Sequence, residues 1–332
     1  PADWVECCNR MDMTIFTSEF SKKGFTEATY DKVDKNTQQN LGSLKLEKPA
    51  EVLFEGADPE IYKETKEISK DLKEQFSQIK EDFCFLFVGH WLQGNLGEDR
   101  KDVGMMLKVF FESFKNQKNP PALIMKTSSA GFSVMDRVDI LKKIRMIRQD
   151  ISANTLPNVY LLHGDLTDKE MNEMYNHPKV KAHLSFTHGE GFGRPLLEAS
   201  FSGKPIIAPI STGQADFLDA DYTIELPHSM TKVPKGALPK EYLNDEAMWS
   251  QVDYNSAFNI IKNTYKNYDK CKLRGKKQMI VNKEHFTHEK MKDKLVDIVD
   301  NILSDVPQEV KIKLPSLKST NSKKLKLPKL KG

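Results

Sequence analysis

The run F-C-F-L-F-V, Phe83–Val88, is apolar at every position. A strand of that kind has no face to offer water. It has to lie inside a sheet covered on both sides, which is the setting of a parallel sheet with crossover helices. The sequence downstream keeps the same alternation. Apolar residues recur at helical spacing over Lys101–Phe114, a strand follows at Ala122–Lys126, an amphipathic helix at Val134–Arg148 and a strand at Asn158–Leu162. The helix at Thr167–Tyr175 opens on T-D-K-E, a capping box between Thr167 and Glu170. Strands alternating with helices predict an α/β fold with a doubly wound parallel sheet. Ligands of such sheets bind outside the carboxyl ends of the strands.

The next unit, K-A-H-L-S-F-T-H-G-E-G-F-G-R-P-L-L-E-A-S-F-S-G-K-P-I-I-A-P, reads strand, glycine-rich turn, helix, strand. Ala182, Leu184 and Phe186 alternate with His183 and Ser185, which suits a strand with one face more buried. Gly189, Gly191 and Gly193 remove side chains where a backbone must approach a ligand or take positive φ. Pro195 fits the first position of a helix over Pro195–Phe201, Gly203 its stop, and Pro205–Ala208 the following strand. Free N–H groups at the helix start attract an anion.

Glu190 and Glu198 bracket this turn with seven residues between them. Glu198 lies about one turn into the helix, and helical side chains lean toward the N-terminus, so its carboxylate reaches the helix start. Taken singly, each glutamate has an ordinary explanation, since a carboxylate in a first helical turn is favourable on dipole grounds alone. Two carboxylates beside a phosphate repel it unless they accept hydrogen bonds from hydroxyls. The combination therefore points to a phosphorylated sugar.

E-G-F-G-R-P-L-L-E resembles the donor-binding signature of glycosyltransferase family 4, the group 1 glycosyltransferases of the GT-B fold. That resemblance implies two Rossmann-like domains and a retaining transfer from a nucleotide-diphosphate sugar. It implies that Glu190 and the turn at Gly191, Phe192 and Gly193 hold the donor sugar, and that Glu198 holds the ribose. Arg194 and Leu197 fall within the same motif, and Arg194 is a further phosphate candidate or a plain surface residue. The family supplies an Arg after the first strand of this domain and a Lys opening the next helix, as partners for the diphosphate. Lys101 matches the Lys by register, in K-D-V-G-M-M-L-K-V-F, whereas His90 occupies the Arg position and Arg100, on the loop that follows, is placed to compensate. Glu190, Lys101 and Arg100 are thus the expected catalytic residues. Lys126 and Thr127 end the next strand, Gly164 and Leu166 of H-G-D-L-T correspond to the loop whose backbone holds the nucleobase, and His188 is a candidate contact. Asp216, in S-T-G-Q-A-D, stands where the family has an acidic residue after its Gly-rich loop.

Before Phe83 the resemblance continues. Trp4–Met11 reads as a short helix and Met13–Phe16 as a strand, and Ser18 caps a helix to Lys23 with Gly24 as its stop. C-N-R-M-D-M-T-I-F-T-S-E-F-S-K-K-G-F resembles the late N-terminal domain of the family. Glu51–Phe54 reads as a strand, and G-A-D-P-E-I-Y resembles the element with Gly56, Asp58 and Tyr62 where the chain leaves that domain. The expected division is residues 1–62 as the C-terminal part of the N-terminal (acceptor) domain and 63–82 as a charged helical linker. Residues 83–284 form the donor-binding domain, 285–304 a helix crossing back, and 305–332 a disordered basic tail. Some sixty residues are about half or less of a first domain, so a truncated chain is expected, with the acceptor-site strands upstream.

Composition sets the outer limits. At 332 residues the chain is long enough for two domains, and 39% apolar with 29% charged residues describes a soluble globular protein. No apolar run reaches the length of a membrane span. Cys7, Cys8, Cys84 and Cys271 lack metal-ligand spacing, and adjacent Cys7 and Cys8 are poor disulfide partners, which favours a reducing, cytoplasmic setting. No Asp-x-Asp element or His/Cys cluster stands out, so no metal or other cofactor is expected, and cationic side chains with the helix start take the place of Mg²⁺. From Gln308 on, eight lysines against Glu309 give +7, so with a net charge of +3 the rest carries −4. That tail reads as a spacer or as a peripheral contact for anionic membrane. With no aromatics to stack on bases, specific nucleic-acid binding is not expected. Three readings compete: a glycosyltransferase acting on a glycan, lipid-linked or other acceptor; a catalytically incomplete nucleotide-sugar-binding fragment; and a glycoside hydrolase using the paired glutamates. The last explains neither the phosphate-ready turn nor Lys101.

Overall fold

The computed structural model describes residues 1–34, 36–37, 39–92, 94–129, 131–237 and 246–305. The expected basic tail, apart from its first residue, lies outside the described residues. The chain opens with α1 (Ala2–Cys8), β1 (Thr14–Phe16) and α2 (Glu19–Thr26). A hairpin of β2 (Tyr30–Val33) and β3 (Asn40–Leu44) follows, then β4 (Ala50–Val52), which pairs parallel with β1. The Ser18 side chain accepts from the Ser21 N–H and caps α2 as the sequence predicts, but the helix runs through Gly24 to Thr26.

Residues 63–81 depart from their predicted helix. Only α3 (Lys70–Ser77) is helical. The amides of Lys63, Thr65 and Ser69 instead donate to the side chains of Asn172, Asn176 and Glu173. These residues lie on α6 (Asp168–Asn176), so tertiary partners claim the backbone donors that a helix would have used.

From residue 84 the alternation is as predicted. The elements are β5 (Cys84–His90), α4 (Val103–Phe114), β6 (Ala122–Ser128), α5 (Val134–Gln149), β7 (Val159–Leu162) and α6. Then come β8 (Val180–Leu184), α7 (Arg194–Ser200), β9 (Ile206–Ala208) and β10 (Ile224–Glu225). Among the described residues the main sheet has six strands, all parallel, in the order β7-β6-β5-β8-β9-β10. Counted from β5 this is 3-2-1-4-5-6, the doubly wound order that leaves a crevice where the winding reverses, between β5 and β8. The apolar run predicted for the sheet interior is β5. Phe85 and Phe87 pack toward α4 and α5, while Cys84 and Leu86 face Met174, Tyr175 and Leu197 on the other side. Period-2 alternation within an all-apolar strand fills two cores at once.

A second hairpin, β11 (His228–Lys232) with β12 (Met248–Val252), precedes α8 (Tyr254–Lys266), α9 (Tyr268–His285) and α10 (His288–Asp305). At the start of α10 the chain returns to the first segment. Ala57 donates to Phe286 O and His288 donates to Ala57 O, both at 3.0 Å. A Cβ on Gly56 would lie 2.5 Å from Thr287 O, so only glycine permits that approach.

Candidate active site

The crevice between β5 and β8 gathers three of the predicted residues. Lys101 Nζ donates to Glu190 Oε1 at 2.5 Å, and Arg100 Nη1 donates to Glu190 Oε2 at 3.0 Å and to Gly189 O at 2.7 Å. Lys101 and Glu190 are about 90% buried, whereas the Arg100 side chain is 40% exposed. Burial favours the neutral acid at Glu190, but Lys101 and Arg100 outweigh it and hold the carboxyl below its usual range. Burial also pulls the Lys101 ammonium down, against the opposing pull of Glu190.

Lys101 does not open α4 as predicted. Asp102 takes a left-handed backbone at φ 49°, so Lys101 sits in the turn ahead of the helix. Its side chain lies over Gly89 at the end of β5, where a Cβ would stand 3.5 Å from Lys101 Cε.

Beyond Glu190 the turn is shaped by its neighbours. Gly193 takes φ 101°, which only glycine tolerates without strain, and starts α7. Gly189 and Gly191 keep ordinary φ. Among the described residues, the amides of Gly191, Phe192 and Gly193 donate to no protein acceptor. Phe192 turns its ring into the core against Phe217, at 5.1 Å between centroids, so only its backbone faces the crevice. Leu197 is likewise a core side chain, fully buried, with its amide bonded to Gly193 O. Its expected place at the donor site is corrected to support beneath it.

Glu198 lies one turn into α7, 7% exposed, and accepts from Arg194 Nε at 2.8 Å. Burial raises its carboxyl pKa against the pull of Arg194. Nearby, the Tyr62 hydroxyl donates to Asp168 at 3.2 Å, and burial followed by the charges of Glu198 and Asp168 raises its pKa. Arg194 is thus the present partner of Glu198, half-exposed at the crevice rim.

On the far side of β5, Lys126 donates to Gly164 O at 2.6 Å and stands 5.1 Å from the Phe132 ring centroid. Gly164 takes φ 133°, and the Leu166 amide is held by the Asp165 carboxylate at 3.1 Å. Asp136 secures this corner by accepting from His163 Nε2 at 2.8 Å and from Ser129. The Thr127 hydroxyl is buried without a protein partner. His90 is exposed and bonds only Ser128 Oγ, at 3.1 Å, so it does not join the cluster.

His188 is corrected from a donor contact to a supporting residue. It is fully buried and stacks on Trp249 at 3.9 Å. Its ring nitrogens meet Ser250 O at 2.7 Å and Gly97 O at 3.2 Å, and its amide donates to Arg100 O at 2.8 Å. It therefore fixes the loop that carries Arg100.

No protein-family model and no curated protein sequence matches the chain. Solved structures do match it. Sucrose-phosphate synthase from Thermosynechococcus elongatus superposes with a TM-score of 0.61 at 13% identity, over 91% of this chain and 61% of that one. HepE from Anabaena, solved in complex with UDP and glucose, gives 0.60 at 14% identity, over 90% of this chain and 66% of that one. A glycosyltransferase from Rickettsia africae gives 0.58 at 11% identity, over 92% and 68%. The chain has the GT-B fold of the group 1 glycosyltransferases. It spans less than two thirds of the length of the first two of these structures.

The N-terminal segment reaches the turn and the loop behind it. Thr17 Oγ1 donates to Gly191 O at 3.3 Å, and the Glu19 amide donates to Asp216 Oδ2 at 2.9 Å. Thr212, at φ 55°, accepts the Glu190 amide through Oγ1 at 3.0 Å, and Gly213 donates to Glu190 O at the same distance. The S-T-G-Q-A-D loop thus grips the backbone of Glu190 and also receives α2. The sequence carried the position of that loop but not this grip. Among the described residues, no helix is long and apolar enough to cross a membrane.

Proposed function

We propose that the protein transfers a sugar, with retention, from a nucleotide-diphosphate sugar to a hydroxyl of a glycan, lipid-linked or other acceptor. The observation that carries this is the meeting of Lys101, Arg100 and Glu190 at the switch point of the sheet. Glu190 pairs with both cations there and leaves the cluster one positive charge in excess. A diphosphate bound beside Lys101 and Arg100 would take over those cations and free the Glu190 oxygens for sugar hydroxyls. The bond from the anomeric carbon to the phosphate oxygen breaks, the nucleoside diphosphate leaves, and the acceptor hydroxyl oxygen attacks from the same face, its proton passing to the departing phosphate oxygen. Lys101, Arg100 and the free turn amides then stabilise charge that grows on the leaving phosphate, with no metal ion required.

The remaining roles follow from position. Glu198, released from Arg194, accepts from the ribose hydroxyls. The Gly164–Leu166 loop, held by Lys126, borders the base, with Lys126 and Thr127 as neighbouring donor contacts. Residues 1–62 belong to the acceptor domain, 63–82 link it to the donor domain of 83–284, and 285–304 cross back, a division supported by the contacts of Ala57 with Phe286 and His288. HepE, solved with UDP and glucose, makes a uridine donor the first to try. The chain's partial coverage of its structural neighbours favours a second reading, a donor-binding fragment that does not turn over.

The test is release of nucleoside diphosphate from UDP-, GDP- and ADP-glucose, with and without oligosaccharide and polyprenyl acceptors. Acceptor-dependent release that Lys101→Ala abolishes supports transfer. Binding without release supports the fragment reading, and neither binding nor release refutes both.

A further inference from the structure

At the opposite end of the sheet from the crevice, a cavity of about 480 Å³ lies between the linker, the start of β8, the turn after α7, and α9. Lys66, Lys181, Lys204, Lys272 and Lys276 line it, with Glu64 as the one acidic side chain among the lining residues. Glu64 pairs with Lys276, and Lys204 donates to His177 O at 2.7 Å. Among the described residues, no carboxylate lies within ion-pair distance of Lys66, Lys181, Lys204 or Lys272.

The lysines are built into this place. A Cβ on Gly275 would stand 2.5 Å from the Lys204 carbonyl carbon, so α9 docks on the turn at a distance only glycine allows. Lys272 and Lys276 are one turn apart on α9 and therefore share a face, the repulsive arrangement for like charges. Gly203, at φ 68°, leaves its Cβ space to the Lys276 chain, whose Cδ would stand 2.9 Å from that atom. Neighbouring groups register the uncompensated charge. Burial and then Lys204, Lys179 and Lys181 push His177 down to about 4, and burial with Lys181 and Lys276 pushes Lys204 well below its usual value.

We infer that this cavity is a second anion site, separate from the crevice, that takes a small ligand carrying two or more phosphates. Its volume suits a pyrophosphate-sized group with substituents, and five lysines against one glutamate in its lining suit a compact multiple charge. A ligand on Lys276 competes with Glu64, so occupancy also touches the linker between the two segments.

Calorimetric titration with inorganic pyrophosphate at physiological ionic strength tests this. Lys101→Ala, which removes a cation of the crevice, should keep a binding event, and adding Lys181→Ala and Lys272→Ala should weaken that event at least tenfold. Independently of any variant, pyrophosphate should shield Lys181 and Lys272 of the wild-type chain from acetylation, read by mass spectrometry. Sedimentation with phosphatidylcholine vesicles, with and without phosphatidic acid, separates the sources. Binding that requires both phosphatidic acid and the two lysines means the phosphates are presented by a lipid surface; pyrophosphate binding alone means a free small anion. Unchanged titration in the lysine variants together with unshielded Lys181 and Lys272 would overturn the inference.

Discussion

Replacing Glu190 with glutamine separates the two tasks assigned to this carboxylate. The change keeps the shape of the side chain and removes its charge, leaving Lys101 buried with no anion within reach. Removing one partner of a buried ion pair costs about 3–5 kcal/mol. The glutamine carbonyl still accepts one hydrogen bond from Lys101, and half-exposed Arg100 turns to water, where such pairs are worth about 1 kcal/mol or less. A net loss of about 2–4 kcal/mol follows, which at about 2 °C per kcal/mol for a chain of this size lowers Tm by roughly 4–8 °C. Added nucleoside diphosphate should reverse much of this, because its phosphates replace the missing anion. A ligand at a hundred times its Kd stabilises by about 2.7 kcal/mol. The assay is thermal unfolding of both proteins with and without UDP, GDP and ADP. The variant should be less stable alone and should show a larger ligand-induced rise than the wild type. Equal stability of the two proteins, or a smaller rise in the variant, would refute the idea that Glu190 holds the cations in place of phosphate.

Glu198→Ala should weaken nucleotide binding about tenfold or more, the loss expected for charge-assisted bonds to ribose, while Glu190→Ala mainly lowers discrimination between nucleotide sugars; calorimetry showing equal loss of free-nucleotide affinity in both would contradict that division. His183 is fully buried in β8 and pushed down to about 3 by burial and then by Lys204. Its folded pKa is depressed, so the unfolded chain takes up the proton first as pH falls below about 6.5. Its share of stability, present above that pH, should shrink by about 2–3 kcal/mol between pH 7 and pH 4.5, and denaturant unfolding of His183→Phe should lack that component. Gly213→Ala would drive a Cβ into the Gly191 carbonyl. A loss of about 1–3 kcal/mol is expected from such overpacking, and a nucleotide titration should show weaker binding because the turn amides at Gly191–Gly193 are displaced; a variant with wild-type stability and affinity would count against the grip described for that loop.

The main sheet was legible because its signal is local and repeated. Five apolar strand runs and the Thr167–Glu170 capping box each announce themselves within ten residues, and the capping box forms with both of its bonds. The glutamate-bracketed turn was legible for the same reason. Much of the site was not, because its decisive contacts join residues far apart in the chain. Arg100 and Glu190 are 90 positions apart, and nothing in either stretch fixes their register until β5 and β8 are adjacent. His188 reads as a donor contact in the sequence because its neighbours Trp249 and Ser250 arrive from a hairpin with weak sequence signals. The linker shows the reverse failure. Its charged composition suits a helix, yet three side chains of α6 take the amides of Lys63, Thr65 and Ser69, and residues 63–69 are not helical.

The most direct measurement is calorimetric titration of the full chain with UDP, GDP and ADP, repeated on Lys101→Ala and Glu198→Ala. The expected result is saturable binding of one nucleotide in preference to the others, weakened in both variants. Absence of binding by all three nucleotides, or binding that neither substitution alters, would contradict the assignment of this crevice to a nucleotide sugar.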